Sequence, residues 1–155
     1  MKARLREEGA VLLVATQFLT RLPVPEGAWT PARMAATPRW YPAVGLLVGA
    51  IAGLAYWAGS WVFSPSLAAL VSTAVGILVT GCFHEDGFAD ACDGLGGGAT
   101  RERKLEIMRD SRLGTYGAAG LGLMLAAKVL SLGALPPLAV PPILVAGHAA
   151  SRASS

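Results

Sequence analysis

His84 to Gly117 reads HEDGFADACDGLGGGATRERKLEIMRDSRLGTYG, and the stretches that adjoin it are almost free of charge. From Trp40 to His84 there is no Asp, Glu, Lys or Arg, and after Leu113 the only charged side chains are Lys128 and Arg152. Uncharged runs of that length supply membrane spans of about 20 apolar residues each. The whole-chain figures agree: of 155 residues, 54% are hydrophobic and 15% charged, and the mean hydropathy is +0.52. This is a membrane composition, so the isoelectric point near 9.2 reports orientation against a bilayer and gives no indication of a nucleic-acid partner.

Inside the quoted stretch, Asp86, Asp90 and Asp93 recur at steps of four and three, which places them on one stripe of a helix. Such carboxylates repel one another unless a cation or water lies between them. Mg²⁺ suits them, because it takes one or two carboxylates and shares its remaining ligands with substrate phosphates. A solvated acidic face is the plain alternative. Acids at membrane depth are costly, about 2.5–3.5 kcal/mol each near the bilayer centre, and so point to function. Gly87 and Gly94 flank them and allow a phosphate or a backbone to come close. Gly96, Gly97 and Gly98 are expected to end the helix in a mobile reversal.

Beyond that reversal, Ala99 to Ser111 reads as a short cytoplasmic helix with Arg101, Leu105, Met108 and Arg112 on one face and Glu106 and Asp110 on another. Guanidinium groups are planar, forked and permanently charged, which suits phosphate. Arg101 and Arg103 serve equally well as membrane anchors, whereas Arg109 and Arg112, beside Asp110 and Ser111, read as chemical. Acids for a metal followed by arginines for phosphate make phosphoryl transfer at a membrane face the natural hypothesis. His84 is either a proton carrier or a structural helix-start residue. Cys82 and Cys92 fit no metal or disulfide spacing and read as small buried apolar residues.

Working outward, the predicted fold is an all-α, polytopic membrane helix bundle forming a single domain over residues 1–155. Residues 4–20 are too short for a crossing and read as an interfacial helix. Glu7 and Glu8 are out of place in a signal peptide. Pro23, Pro25, Pro31 and Pro38 mark an extended connection. Spans are expected at 41–63, 67–83 and 115–135. A fourth begins near Ile143, after a turn at Pro136, Pro137, Pro141 and Pro142. Trp40, Tyr41, Trp57 and Trp61 form an aromatic belt about the first span. Gly45, Gly49 and Gly53 form a stripe that either lets another helix approach or reflects the commonness of glycine in membranes. A homo-oligomer is left open.

The six basic residues before the first span and the five from Arg101 to Arg112 are separated by two crossings. They therefore lie on one side, which the positive-inside rule makes the cytoplasm.

HEDGFADACDG, LEIMRDSRLGTYG and FLTRLPVP (Phe18 to Pro25) resemble the cobalamin synthase family, adenosylcobinamide-GDP ribazoletransferase, over nearly the whole chain. The resemblance implies a multi-pass enzyme of the bacterial inner membrane, dependent on Mg²⁺, that joins adenosylcobinamide-GDP to α-ribazole or its 5′-phosphate and releases GMP. Members are longer, so the chain is expected to be an N-terminal portion, inactive alone. Asp86, Asp90 and Asp93 would hold the metal on the pyrophosphate. One of them, or Asp110, would accept the proton of the ribazole hydroxyl, and Arg109 and Arg112 would clamp phosphate oxygens. A CDP-alcohol phosphotransferase shares the pattern of Asp86, Gly87 and Ala89, but Asp90 stands where that family has Arg. A membrane carrier would spread its acids through a span.

Overall fold

The computed structural model describes residues 1–26 and 29–153, and the described residues are helical with short connections. In chain order the helices are α1 (Lys2–Leu19), α2 (Pro31–Ala36), α3 (Tyr41–Gly59), α4 (Pro65–Thr80), α5 (Phe83–Gly97), α6 (Arg101–Met108), α7 (Thr115–Gly133) and α8 (Val140–Ala153).

The proline-marked connection is not extended throughout. Pro31 opens α2, where its missing N–H is no loss, and the Thr30 hydroxyl accepts from the Arg33 N–H at 3.2 Å. A 3₁₀ turn over Thr37–Trp40 then leads into α3. Pro31–Gly59 and Thr115–Gly133 are long and apolar enough to cross a membrane. The expected second span is instead α4 and α5, bent by 93° at Gly81 and Cys82. The pair is either one broken span or a re-entrant loop. Both break residues have positive φ, 65° and 64°, which ends α4 and leaves Cys82 exposed, contrary to the buried reading. The last helix starts at Val140 and not near Ile143, since Pro141 and Pro142 fit its first turn.

The glycine stripe of α3 is a packing surface within the chain. A Cβ on Gly45 would strike the His148 carbonyl, and one on Gly49 would lie 2.6 Å from Val145 Cα. Backbones approach this closely only where the side chain is absent. Tyr56, Ala68, Leu132, Val140 and Leu144 close the core where α3, α4, α7 and α8 meet. Ser72 of α4 donates to the Ala52 carbonyl of α3 at 2.7 Å. The second half of α1 buries Ala15 and Leu19 against Val44 and Val48 of α3. Its first half uses the two glutamates: Glu7 pairs with Arg33 at 2.7 Å and Glu8 with Arg39 at 3.0 Å.

The FLTRLPVP segment braces the bend. The Arg21 N–H donates to the Val79 carbonyl at 2.7 Å, its side chain covers Gly81, and Phe18 meets Phe83 edge-on with centroids 5.4 Å apart. This segment thereby helps fix the direction in which α5 leaves α4.

Candidate functional site

The aspartate stripe divides in the structure. Asp93 is buried, 8% exposed, and both its oxygens are taken by the start of α7: Oδ2 accepts from the Gly114 N–H and Oδ1 from the Gly117 N–H, each at 2.8 Å. The first turn of a helix leaves its N–H groups without internal partners and carries partial positive charge. Asp93 therefore caps α7 from another helix, and Gly114 and Gly117 leave it room, since a Cβ on either would overlap its carboxylate.

Asp86 is exposed and Asp90 half-buried, and neither carboxylate makes a hydrogen bond or ion pair among the described residues. They remain free for a ligand, one helical turn apart. Among the described residues no group of three or more His, Cys, Asp or Glu side chains converges as a metal cluster. The donor set consequently fits Mg²⁺ as a pair of carboxylates completed by phosphate oxygens and water, not as a three-carboxylate cage.

The two flanking glycines also part ways. A Cβ on Gly87 would meet nothing within 4 Å, so that face is open to a ligand. One on Gly94 would lie 2.5 Å from the Met108 side chain and 2.9 Å from the Lys104 carbonyl. Gly94 is a contact between α5 and α6, not an opening for phosphate. The glycine run does end α5, with Gly98 extended at its C-cap.

The arginine helix is shorter than its pattern suggested. It starts at Arg101, with the Thr100 hydroxyl accepting from the Arg103 N–H at 3.2 Å, and stops at Met108. Arg112 and Asp110 therefore do not continue the helix faces assigned to them. Asp110 instead accepts from the Arg112 backbone N–H at 3.1 Å and from its guanidinium, the shortest contact being 2.5 Å. Those bonds hold the Asp110 carboxyl down at about 2 and push the Arg112 guanidinium further up. Arg101, Arg109 and Ser111 are exposed.

Asp93, Asp110 and Arg112 share a cavity of about 420 Å³, completed by Gly97, Ile107, Gly114 and Tyr116. Asp86, Asp90, Arg101 and Arg109 do not line it. Tyr116 lies over Gly96, whose missing Cβ would stand 2.5 Å from its ring. The helix bend and the Asp93 cap thus bring the end of α5 against the loop that carries Arg112. Sequence periodicity could not show the cap, because Asp93 and Gly117 are 24 residues apart.

No solved structure matches the chain. Curated relatives named adenosylcobinamide-GDP ribazoletransferase do. That of Shewanella frigidimarina is 45% identical over 146 residues, covering 92% of this chain and 56% of the relative. That of Bradyrhizobium diazoefficiens is 49% identical over 149 residues, covering 93% and 56%, and that of Vibrio cholerae 42% over 155, covering 99% and 59%. The chain thus spans less than two thirds of the relatives' length. The model of one family, described as CobS, cobalamin-5-phosphate synthase, matches residues 11–155. That match takes in the braced bend, the divided aspartate stripe and the Asp110–Arg112 loop together, and by it the chain belongs to the CobS family.

Proposed function

We propose that the chain forms part of a transferase of the bacterial inner membrane that joins adenosylcobinamide-GDP to α-ribazole or its 5′-phosphate and releases GMP. The observation that carries this reading is the family match along residues 11–155, which includes every residue given a role in the candidate site. Asp86 and Asp90 would hold Mg²⁺ against the substrate pyrophosphate. When bound, the metal neutralises charge on the pyrophosphate and on the departing GMP.

Arg112 and Arg109 meet phosphate oxygens at the α6–α7 loop, with Asp110 fixing the fork of Arg112, and Arg101 adds positive charge nearby. Asp110 is a poor candidate for general base, because a carboxyl held near 2 has little affinity for a proton at neutral pH. Asp86 and Asp90, whose carboxylates have no hydrogen-bond partner among the described residues, are the remaining candidates. The ribazole hydroxyl oxygen bonds to the corrinoid-side phosphorus, its proton passes to the carboxylate, and the bridging oxygen leaves with GMP. Asp93 does not touch the reacting atoms in this scheme; it fixes the loop that does.

The acidic helix and α6 are assigned to the cytoplasmic side. Five basic residues lie between Arg101 and Arg112, whereas the connections at Ser64 and at Gly133–Val140 carry no charge. The test is turnover: the protein at the length of its relatives, in detergent with Mg²⁺, adenosylcobinamide-GDP and α-ribazole, is expected to release GMP and form cobalamin. CMP release from a CDP-alcohol in place of that reaction would overturn the assignment.

A further inference from the structure

A second cavity, of about 290 Å³, opens on another side of α5, where His84 and Glu85 face Lys128 of α7 and His148 and Arg152 of α8. Two polar atoms there are stranded. Nε of Arg152 and Oε2 of Glu85 are buried with no hydrogen-bond partner among the described residues. Arg152 is only 4% exposed, and among the described residues its guanidinium is met through Nη1, by the His148 carbonyl at 3.2 Å and by His148 Nδ1 at 3.1 Å. No ion pair joins Glu85 to Lys128 or Arg152 among the described residues.

A buried guanidinium with an unmet donor is costly, and so is a buried carboxylate oxygen with nothing to accept. The arrangement becomes favourable when one group supplies an acceptor to the first and a donor to the second. Lys128 and Arg152 carry two positive charges against the one negative charge of Glu85, so that group is an anion. A planar guanidinium fork beside an ammonium is a combination that recognises phosphate. The volume lies at the small end of ligand pockets, about 300–1,000 Å³, which suits a phosphate with a small ester group and not a nucleotide or a corrinoid. Phe88 and Met124 supply apolar walls, and charged contacts are stronger beside apolar surface than in bulk water.

We propose that this cavity binds a phosphate monoester, its oxygens on Arg152 and Lys128 and its hydroxyl donating to Glu85. The ester is either a free sugar phosphate or a phospholipid headgroup, and the site is independent of the transferase reading.

The test uses the protein at the length of its relatives, purified in detergent, with binding followed by ³¹P NMR. Ribose 5-phosphate and dihexanoyl phosphatidic acid are each titrated against a sulfate-free background. Saturable binding of at least one is expected, and whichever binds more tightly assigns the source. Arg152→Gln is expected to weaken binding at least tenfold and Arg152→Lys to restore part of it, with helix content by circular dichroism unchanged. Binding that is absent from the intact protein, or unaltered in a folded Arg152→Gln variant, overturns the proposal. So does a protein whose Arg152→Gln and Arg152→Lys variants both fail to fold, since the arginine is then needed for packing whatever occupies the cavity. Binding by the 155-residue chain but not by the longer protein would also overturn it, because the cavity is then filled or closed in the longer protein.

Discussion

Asp93 on α5 accepts the backbone N–H of Gly117 on α7 at 2.8 Å. With its second oxygen on Gly114, this carboxylate ties the acidic helix to the helix that follows the arginine loop. A carboxylate at a helix N-terminus is favoured by unpaired N–H groups and by the helix dipole together.

Replacing that carboxylate is expected to loosen the tie. Asp93→Ala leaves a buried N–H at Gly117 without an acceptor, at a cost of about 1–3 kcal/mol. Thermal unfolding in detergent should show a clearly lowered midpoint, with Asp93→Asn intermediate because its amide retains one accepting oxygen. A midpoint equal to that of the parent in Asp93→Ala would show that the cap contributes nothing.

Two glycines of the same region should respond in opposite directions to one added methyl group. Gly117→Ala forces a Cβ onto the Asp93 carboxylate and to within 2.9 Å of the Ala89 carbonyl, and should destabilise. Gly87→Ala meets nothing within 4 Å and should stabilise α5 by up to about 1 kcal/mol through helix propensity. Unfolding midpoints that shift the same way would contradict the packing described.

The Asp110–Arg112 pair sets a pH expectation. The folded carboxyl lies at about 2 against an ordinary 3.8, so it is depressed. Its contribution is complete above the unfolded value and lost as pH falls through the folded one. The loop should therefore keep its geometry at pH 4 and change between about pH 4 and pH 2. In Arg112→Ala the Asp110 carboxyl should titrate above its parent value, because the guanidinium bonds are lost while the backbone N–H of residue 112 still donates to it, read by ¹³C NMR of labelled aspartate. An unshifted titration in the parent protein would dissolve the pair.

Sidedness has its own check. With Cys82 and Cys92 removed, single cysteines at Ser64 and Gly97 should differ in labelling by an impermeant thiol reagent applied from outside, Ser64 reacting and Gly97 not. Equal labelling would end the cytoplasmic assignment of the acidic helix.

Much of the fold was legible because charge is so unevenly spread. The empty run after Trp40 marked α3, and the run after Leu113 marked α7 to within two residues of its end at Gly133. The stripe of Gly45, Gly49 and Gly53 left a close helix contact and mere abundance of glycine equally open, and α8 supplies the contact.

The misreadings have local causes. Periodicity carried α6 past Met108, where Asp110 turns to bind the arginine two residues on. The bend at Cys82 was hidden because a non-glycine residue takes the left-handed conformation there. Spacing put Asp93 on the same stripe as Asp86 and Asp90, and it is on that stripe. Its partners, however, come from a helix whose position depends on the whole fold.

The central claim is that the stripe is divided, Asp86 and Asp90 serving the metal and Asp93 the architecture. It is tested most directly by titrating Mg²⁺ against GMP release in the protein at the length of its relatives, with each aspartate changed singly to asparagine. Asp86→Asn and Asp90→Asn are expected to raise the Mg²⁺ concentration for half-maximal activity at least tenfold. Asp93→Asn is expected to leave that concentration unchanged while lowering the unfolding midpoint. A Mg²⁺ requirement raised as much by Asp93→Asn as by the other two would contradict the division.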